Sequence, residues 1–185
     1  MAETGSYIKG KHILAVDDEV DILETIEDIL EEARVDRATD YDTASRKIRE
    51  NRYDLAILDI MGVNGLKLLE ETVAKGIPTV MLTAHAISPQ TLMESIRKGA
   101  ISYLPKETLA ELDVLLNTLM QAYERGEPPW KPLFEKLGGY FEKRFGADWQ
   151  SAEPEFWSEF SRNNLIGRGL QERLKNDPRI RDKGI

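Results

Sequence analysis

Ile13-Leu14-Ala15-Val16-Asp17-Asp18 sets four apolar residues directly against two acids. Three further stretches repeat the arrangement: Leu55-Ala56-Ile57-Leu58-Asp59, Val80-Met81-Leu82-Thr83 and Tyr103-Leu104-Pro105-Lys106. A short continuous apolar run reads as a strand buried on both faces, the habit of parallel sheets. The carboxyl ends of parallel strands share one edge, and open α/β sheets bind their ligands outside that edge. Three carboxylates, a hydroxyl and an ammonium are thereby expected to meet in one cleft.

Outward from these runs, the intervening segments carry helical spacing. Helices are predicted over 20–32 (Ile22, Ile26, Ile29 and Leu30 inward), 42–51 (Ala44 and Ile48 inward) and 65–75 (Leu66, Leu69 and Val73 inward, with Gly76 at the C-cap). Two more are predicted over 89–98 and 109–125, the last turning Leu112, Leu115, Leu116, Leu119 and Tyr123 inward. Asp18 or Asp21 is the expected cap of the first helix. A weak, polar strand is predicted over 35–39. Strand and helix thus alternate five times, which argues for a parallel sheet with helices on both faces. Neither G-x-x-x-x-G-K nor G-x-G-x-x-G occurs, so nucleotide binding has no motif behind it.

The 185 residues suffice for one ordinary domain and a smaller one, and 41 % are apolar. With no cysteine there is no disulfide, thiolate metal site or cysteine nucleophile. Apolar runs are far too short to span a membrane, and the N-terminus lacks a signal-peptide pattern, so a cytoplasmic protein is expected. A net charge of −8 argues against broad nucleic-acid binding. Residues 127–185 are nearly balanced, with 11 Lys+Arg and 10 Asp+Glu, so the acidity belongs to the first part. All three tryptophans and all five phenylalanines lie in the second part. The boundary is placed at Gly126-Glu127-Pro128-Pro129, giving domains at 10–125 and 132–185 and a linker at 126–131.

Val16-Asp17-Asp18-Glu19, Leu58-Asp59-Ile60-Met61, Leu82-Thr83-Ala84 and Tyr103-Leu104-Pro105-Lys106 together resemble the receiver domain of two-component response regulators over about residues 10–125. The resemblance implies a flavodoxin-like (βα)5 doubly wound sheet of strand order 2-1-3-4-5. It implies that Asp59 accepts a phosphoryl group from a sensor histidine kinase, and that Mg²⁺ is held directly by Asp18, Asp59 and the backbone carbonyl of Met61, with Asp17 acting through water. It implies that Lys106 pairs with the phosphoryl group and Thr83 donates its hydroxyl to it. Tyr103 is the expected switch aromatic, turning inward into space that Thr83 vacates. The chemistry is coherent: a carboxylate attacks phosphate poorly because like charges repel, and a divalent cation removes that barrier. A phosphatase of the D-x-D type is the weaker rival, because Met61 stands where its second acid would be.

Two departures from that family pattern carry expectations. The glycine that normally closes the loop after the acceptor comes about two residues early, at Gly65, and the loop lacks its proline. Gly62 and Gly65 are expected to let the backbone turn more tightly. Glu107 replaces the proline that usually follows the lysine. A cis bond there would cost about 3 kcal/mol, so a trans bond or a rearranged loop is expected. Met61 and His85 occupy positions that tune acyl-phosphate lifetime in the family; His85 otherwise reads as a partly exposed loop residue.

In the C-terminal part, Trp130, Leu133, Phe134, Leu137, Tyr140, Phe141 and Phe145 recur at helical spacing, with Gly138-Gly139 weakening the helix. Phe156, Trp157 and Phe160 form a second apolar face, and Leu165, Ile166, Leu170 and Leu174 a third. This is a small helical module of aromatic core. A downstream protein target or self-association through these helices is the expected output, and the protein is not expected to be an enzyme. A DNA-binding transcription regulator is the alternative, since residues 162–185 hold seven Lys/Arg against three Asp/Glu. It is less favoured because acids interrupt the basic residues.

Overall fold

A computed structural model describes residues 5–85 and 87–162. Five strands, β1 (His12–Val16), β2 (Arg34–Ala38), β3 (Leu55–Leu58), β4 (Thr79–Thr83) and β5 (Ser102–Pro105), form one all-parallel sheet of order β2-β1-β3-β4-β5. The connecting helices are α1 (Val20–Ile29), α2 (Tyr41–Glu50), α3 (Gly65–Ala74) and α4 (Pro89–Arg97). A 3₁₀ helix over Lys106–Glu111 then leads into α5 (Leu112–Glu124). This is the doubly wound α/β architecture that the resemblance implied.

Sequence explains the order of burial. β3, β4 and β5 are buried along their whole length, and β1 from its second residue on. Among the described residues β2 pairs only with β1, and its sequence Arg-Val-Asp-Arg-Ala leaves both arginines exposed. Charged residues on a free edge discourage pairing with a second chain. The aliphatic layer includes Ile13, Leu14, Leu23, Ile26, Ile57, Leu58, Leu68 and Leu116, all buried. Each such side chain contributes about 1.5–3 kcal/mol when taken fully from water.

Helix ends show where local reading goes astray. α1 stops at Ile29, three residues before the predicted end, with Glu31 and Glu32 just beyond it. Acids there oppose the negative end of the helix dipole. The N-cap of α1 is neither Asp18 nor Asp21 but Glu19, whose side chain makes no capping bond. α2 is capped by Asp40, whose Oδ1 accepts from the Thr43 amide at 2.8 Å. α3 buries Leu68, Leu69 and Thr72, leaving Leu66 half-buried and Val73 exposed. The predicted face is therefore rotated, because two adjacent leucines, Leu68 and Leu69, fix the inward side. In α5, Tyr123 is exposed where an inward ring was expected, and Met120 is buried.

The chain divides into two compact units, Met1–Met120 and Gln121–Ile185. The division falls inside α5, earlier than the boundary expected at Gly126. The second unit holds α6 (Trp130–Phe145), a 3₁₀ turn over Trp149–Ala152 and α7 (Pro154–Phe160). α6 begins at Trp130, inside the expected linker of 126–131, with Pro132 in its first turn. It runs unbroken through Gly138-Gly139. Rings hold it on both sides of the pair: Phe134 lies 6.2 Å from Trp157, and Phe145 lies 5.2 Å from Trp149. The predicted third helix, with Leu165, Ile166, Leu170 and Leu174, lies outside the described residues.

Candidate functional site

The register of the sheet aligns the ends of the four apolar runs. Val16 pairs with Leu58 and Thr83 with Pro105, so Asp17, Asp59, Thr83 and Lys106 all fall at the carboxyl edge. Lys106 Nζ lies 2.8 Å from Asp17 Oδ2 and 3.2 Å from Asp59 Oδ2. The second oxygen of each acid is held by backbone: Asp17 Oδ1 accepts from the Glu19 amide, and Asp59 Oδ1 from the Ile60 amide, both at 2.9 Å. Both carboxylates are buried, at 2 % and 5 % exposure.

Burial sets the electrostatics. It pushes the Asp59 carboxyl above its usual range, and the neighbouring charge of Asp17 pushes it further against the pull of Lys106. Burial likewise raises Asp17. Desolvation works against the Lys106 ammonium too, but its hydrogen bond to Asp17 and the charge of Asp59 prevail and raise its pKa. Two buried anions share one cation, and Asp18 and Glu19 add two more at the rim. The carboxylate oxygens of Asp17, Asp18 and Glu19 lie within 4.8 Å of one another.

The turn after β3 presses against these acids. A Cβ on Gly62 would lie 2.4 Å from Asp18 Oδ2, and one on Gly65 would lie 1.7 Å from the Asp59 carbonyl oxygen. Gly62 has φ 79°, and Asn64 takes the left-handed conformation at φ 53°. The shortened loop thus depends on two glycines, one freed in φ and one freed in volume. Buried Ile60 and Val63 anchor it from below. The side chain of Met61 is exposed on its outside. The Lys106–Glu107 bond is trans, and the 3₁₀ helix starts at Lys106 itself.

Thr83 is fully buried, and its hydroxyl has no hydrogen-bond partner among the described residues. Such an orphan costs about 1–3 kcal/mol and calls for an acceptor the protein does not itself supply. Tyr103, the expected switch aromatic, faces inward in this structure. Its ring is already fully buried, and its hydroxyl lies 2.7 Å from Thr91 Oγ1 and accepts weakly from the Ser88 amide at 3.4 Å. Ser88 is the N-cap of α4, so the ring is tied to the start of that helix. His85 is exposed.

The receiver-domain family model, described as "Response regulator receiver domain", matches residues 13–118, more than half of the chain. The chain belongs to the response regulator receiver family. Among curated relatives of this receiver, Two-component response regulator ARR10 of Arabidopsis thaliana is 33 % identical over 109 residues, covering 55 % of this chain and 20 % of that protein. Regulatory protein VanRB of Enterococcus faecalis is 47 % identical over 77 residues, covering 39 % of this chain and 35 % of its own. The chain thus spans about a fifth to a third of the length of these relatives. A receiver-domain protein (CheY-like) from Methanospirillum hungatei is similar in structure at a TM-score of 0.57 and 27 % identity, covering 63 % of this chain and 98 % of that one. The receiver domain of the Francisella response regulator 1452 gives 0.54 and 28 %, covering 60 % and 98 %.

The receiver fold therefore brings together Asp17, Asp59 and Lys106 by direct contact, with Asp18 at the rim and Thr83 on the same edge. Tyr103 faces α4. One residue of the cluster was missed as a site residue: Glu19, whose Oε1 lies 3.1 Å from Lys106 Nζ. Glu19 and Lys106 are 87 positions apart, and nothing local in either segment signals the pairing.

No helix among the described residues is long and apolar enough to cross a membrane.

Proposed function

We propose that this receiver is a phosphorylation-activated switch in which Asp59 takes a phosphoryl group from a sensor histidine kinase in a Mg²⁺-dependent reaction. The observation that carries it is the bridge Asp17–Lys106–Asp59, with the unpartnered hydroxyl of Thr83 at the same edge of the sheet. Asp18, Asp59 and the Met61 carbonyl would hold the cation directly, with Asp17 acting through water. This donor set suits the ion, since Mg²⁺ prefers oxygen and the cluster carries more negative charge than Lys106 can balance. When bound, the cation neutralises charge between the acceptor and the incoming phosphate.

The remaining chemistry belongs to the chain. An oxygen of Asp59 forms the new bond to phosphorus as the bond to the donor's leaving group breaks. Lys106, already within 3.2 Å of Asp59, stays paired with the added negative charge. Thr83 gains the acceptor that its hydroxyl lacks. Tyr103 starts inward, so the switch acts through its tie to Thr91 and Ser88: a moving Thr83 changes the packing beneath the ring and loads the first turn of α4. The altered surface would address a downstream protein target, or a second copy through the C-terminal helices.

The test is exposure of the full chain to a small phosphodonor with Mg²⁺, followed by intact mass. One added phosphoryl group is expected, absent without Mg²⁺ and absent in Asp59→Asn. An unchanged mass in the wild type, or the full gain in Asp59→Asn, overturns the reading.

A further inference from the structure

Glu19 opens α1, and a carboxylate at that place has the free amides and the positive end of the helix within reach. It uses neither. Its side chain makes no capping bond and reaches instead across the site to Lys106 Nζ at 3.1 Å. The choice has a consequence for Asp17, which is tied at both oxygens: Oδ1 by the Glu19 amide and Oδ2 by Lys106 at 2.8 Å. Each oxygen keeps a lone pair for a cation or for its bound water, but an ammonium 2.8 Å from Oδ2 repels an incoming divalent cation, so Asp17 serves that cation best once one of its two partners has moved off. The amide bond is set by the backbone at the start of α1, so the bond that yields is the one to Lys106.

A buried ammonium does not give up a partner without another to take its place. Lys106 is 8 % exposed, whereas Glu19 is about half exposed and free to follow it. We propose that Glu19 is a positioning residue for Lys106: it draws the ammonium away from Asp17 and so releases Asp17 to a divalent cation. Glu19 touches neither the acceptor nor the phosphoryl group, and acts through Lys106 alone. The inference rests on the proposed Mg²⁺ site and adds to it the residue that makes the site available.

A double-mutant cycle separates this from a mere loss of negative charge near a cation. Mg²⁺ is titrated calorimetrically into the full-length wild type, Glu19→Gln, Lys106→Met and the double variant, with folding of each checked by its thermal transition. In the presence of Lys106, Glu19→Gln is expected to weaken Mg²⁺ binding about fivefold; in the Lys106→Met background it is expected to change it less than about twofold. Equal weakening in both backgrounds means that Glu19 acts directly on the cation and overturns the inference. Should Lys106→Met fail to fold, Lys106→Gln takes its place in the cycle with the same criterion. A wild type that takes up no Mg²⁺ overturns the underlying site, and the inference with it; a wild type that binds while the cycle is flat overturns the inference alone.

Discussion

The two compact units of this chain are built from different hydrophobic material. The first packs branched aliphatics around its sheet, and Tyr53 and Tyr103 are the only aromatics in its core among the described residues. The second gathers rings: Phe134 lies 5.5 to 6.2 Å from Trp130, Phe141, Trp157 and Phe160. A parallel sheet covered on both faces demands flat layers of Val, Ile and Leu. A few short helices have no such layer and must bury much area with few side chains, which large rings do best. The units differ as sharply in strain. Among the described residues, the first contains a pair of buried acids, two unpartnered hydroxyls (Thr83 and Ser102) and two glycines, Gly62 and Gly65, with no room for a methyl group. In the second, Gly138 and Gly139 face open space among the described residues. Strain concentrated in one unit marks where the chemistry is held.

The glycines offer the largest test of that contrast. In Gly65→Ala the new methyl group would meet the carbonyl of Asp59 at 1.7 Å, and a backbone atom cannot be moved by a change of rotamer. The expected cost is about 4 kcal/mol, at the top of the range for single substitutions. It is measured by denaturant unfolding, and loss of phosphoryl uptake should accompany it. A cost below about 1 kcal/mol would mean that the turn after β3 has slack, and the contrast would weaken.

Phe141→Ala probes the second unit. Phe141 is fully buried and stacks on Phe145 at 5.7 Å while meeting Phe134 and Trp149. Its removal should cost about 3–4 kcal/mol. Tryptophan fluorescence should report that loss, because all three tryptophans lie in the second unit. Phosphoryl uptake at Asp59 should survive. Uptake lost together with the fluorescence transition would merge the two units into one.

How far the sequence could foretell all this depended on the range of the signal. Strands were legible because each is a run of neighbours, and the convergence of Asp17, Asp59, Thr83 and Lys106 followed from parallel geometry alone. The tight turn was legible in Gly62 and Gly65. The face of α3 was misjudged because Leu66, Leu68 and Leu69 are all apolar and only packing chooses among them. The resting position of Tyr103 was not legible, since it depends on hydroxyl contacts with Ser88 and Thr91 of another element. Nor was Glu19–Lys106, a pairing that exists only once the sheet has formed.

Asp59→Asn should trade chemistry for stability. Burial and Asp17 raise the Asp59 pKa in the folded protein, so its ionised form opposes folding at neutral pH. Protonation relieves that cost: the penalty is present at neutral pH and fades as pH falls through the raised folded value. The neutral amide should therefore stabilise the protein at pH 7, with the gain shrinking toward acid. Thermal melts of both proteins from pH 7 to pH 4 check the sign. Asp36 should behave oppositely. Its desolvation is outweighed by hydrogen bonds from Tyr53 and His12, which lower its pKa, so its contribution is lost as pH falls through the folded value.

The smallest effect belongs to Gly138 and Gly139, and it completes the contrast with Gly65. Both lie inside α6, neither has a positive φ, and a Cβ at either would meet nothing within 4 Å among the described residues. A glycine so placed gives the helix backbone freedom in the unfolded chain and returns no contact in the folded one. Alanine at either position should raise stability by about 0.5–1 kcal/mol, read as a shift of the tryptophan fluorescence midpoint. The sign matters more than the size. One residue type, changed in one way, should damage the first unit and strengthen the second, because only in the first does the missing side chain leave room that the backbone already fills. If alanine at Gly139 instead destabilised the protein or blocked its output, that open space would be the seat of a partner, and the second unit too would carry a functional constraint.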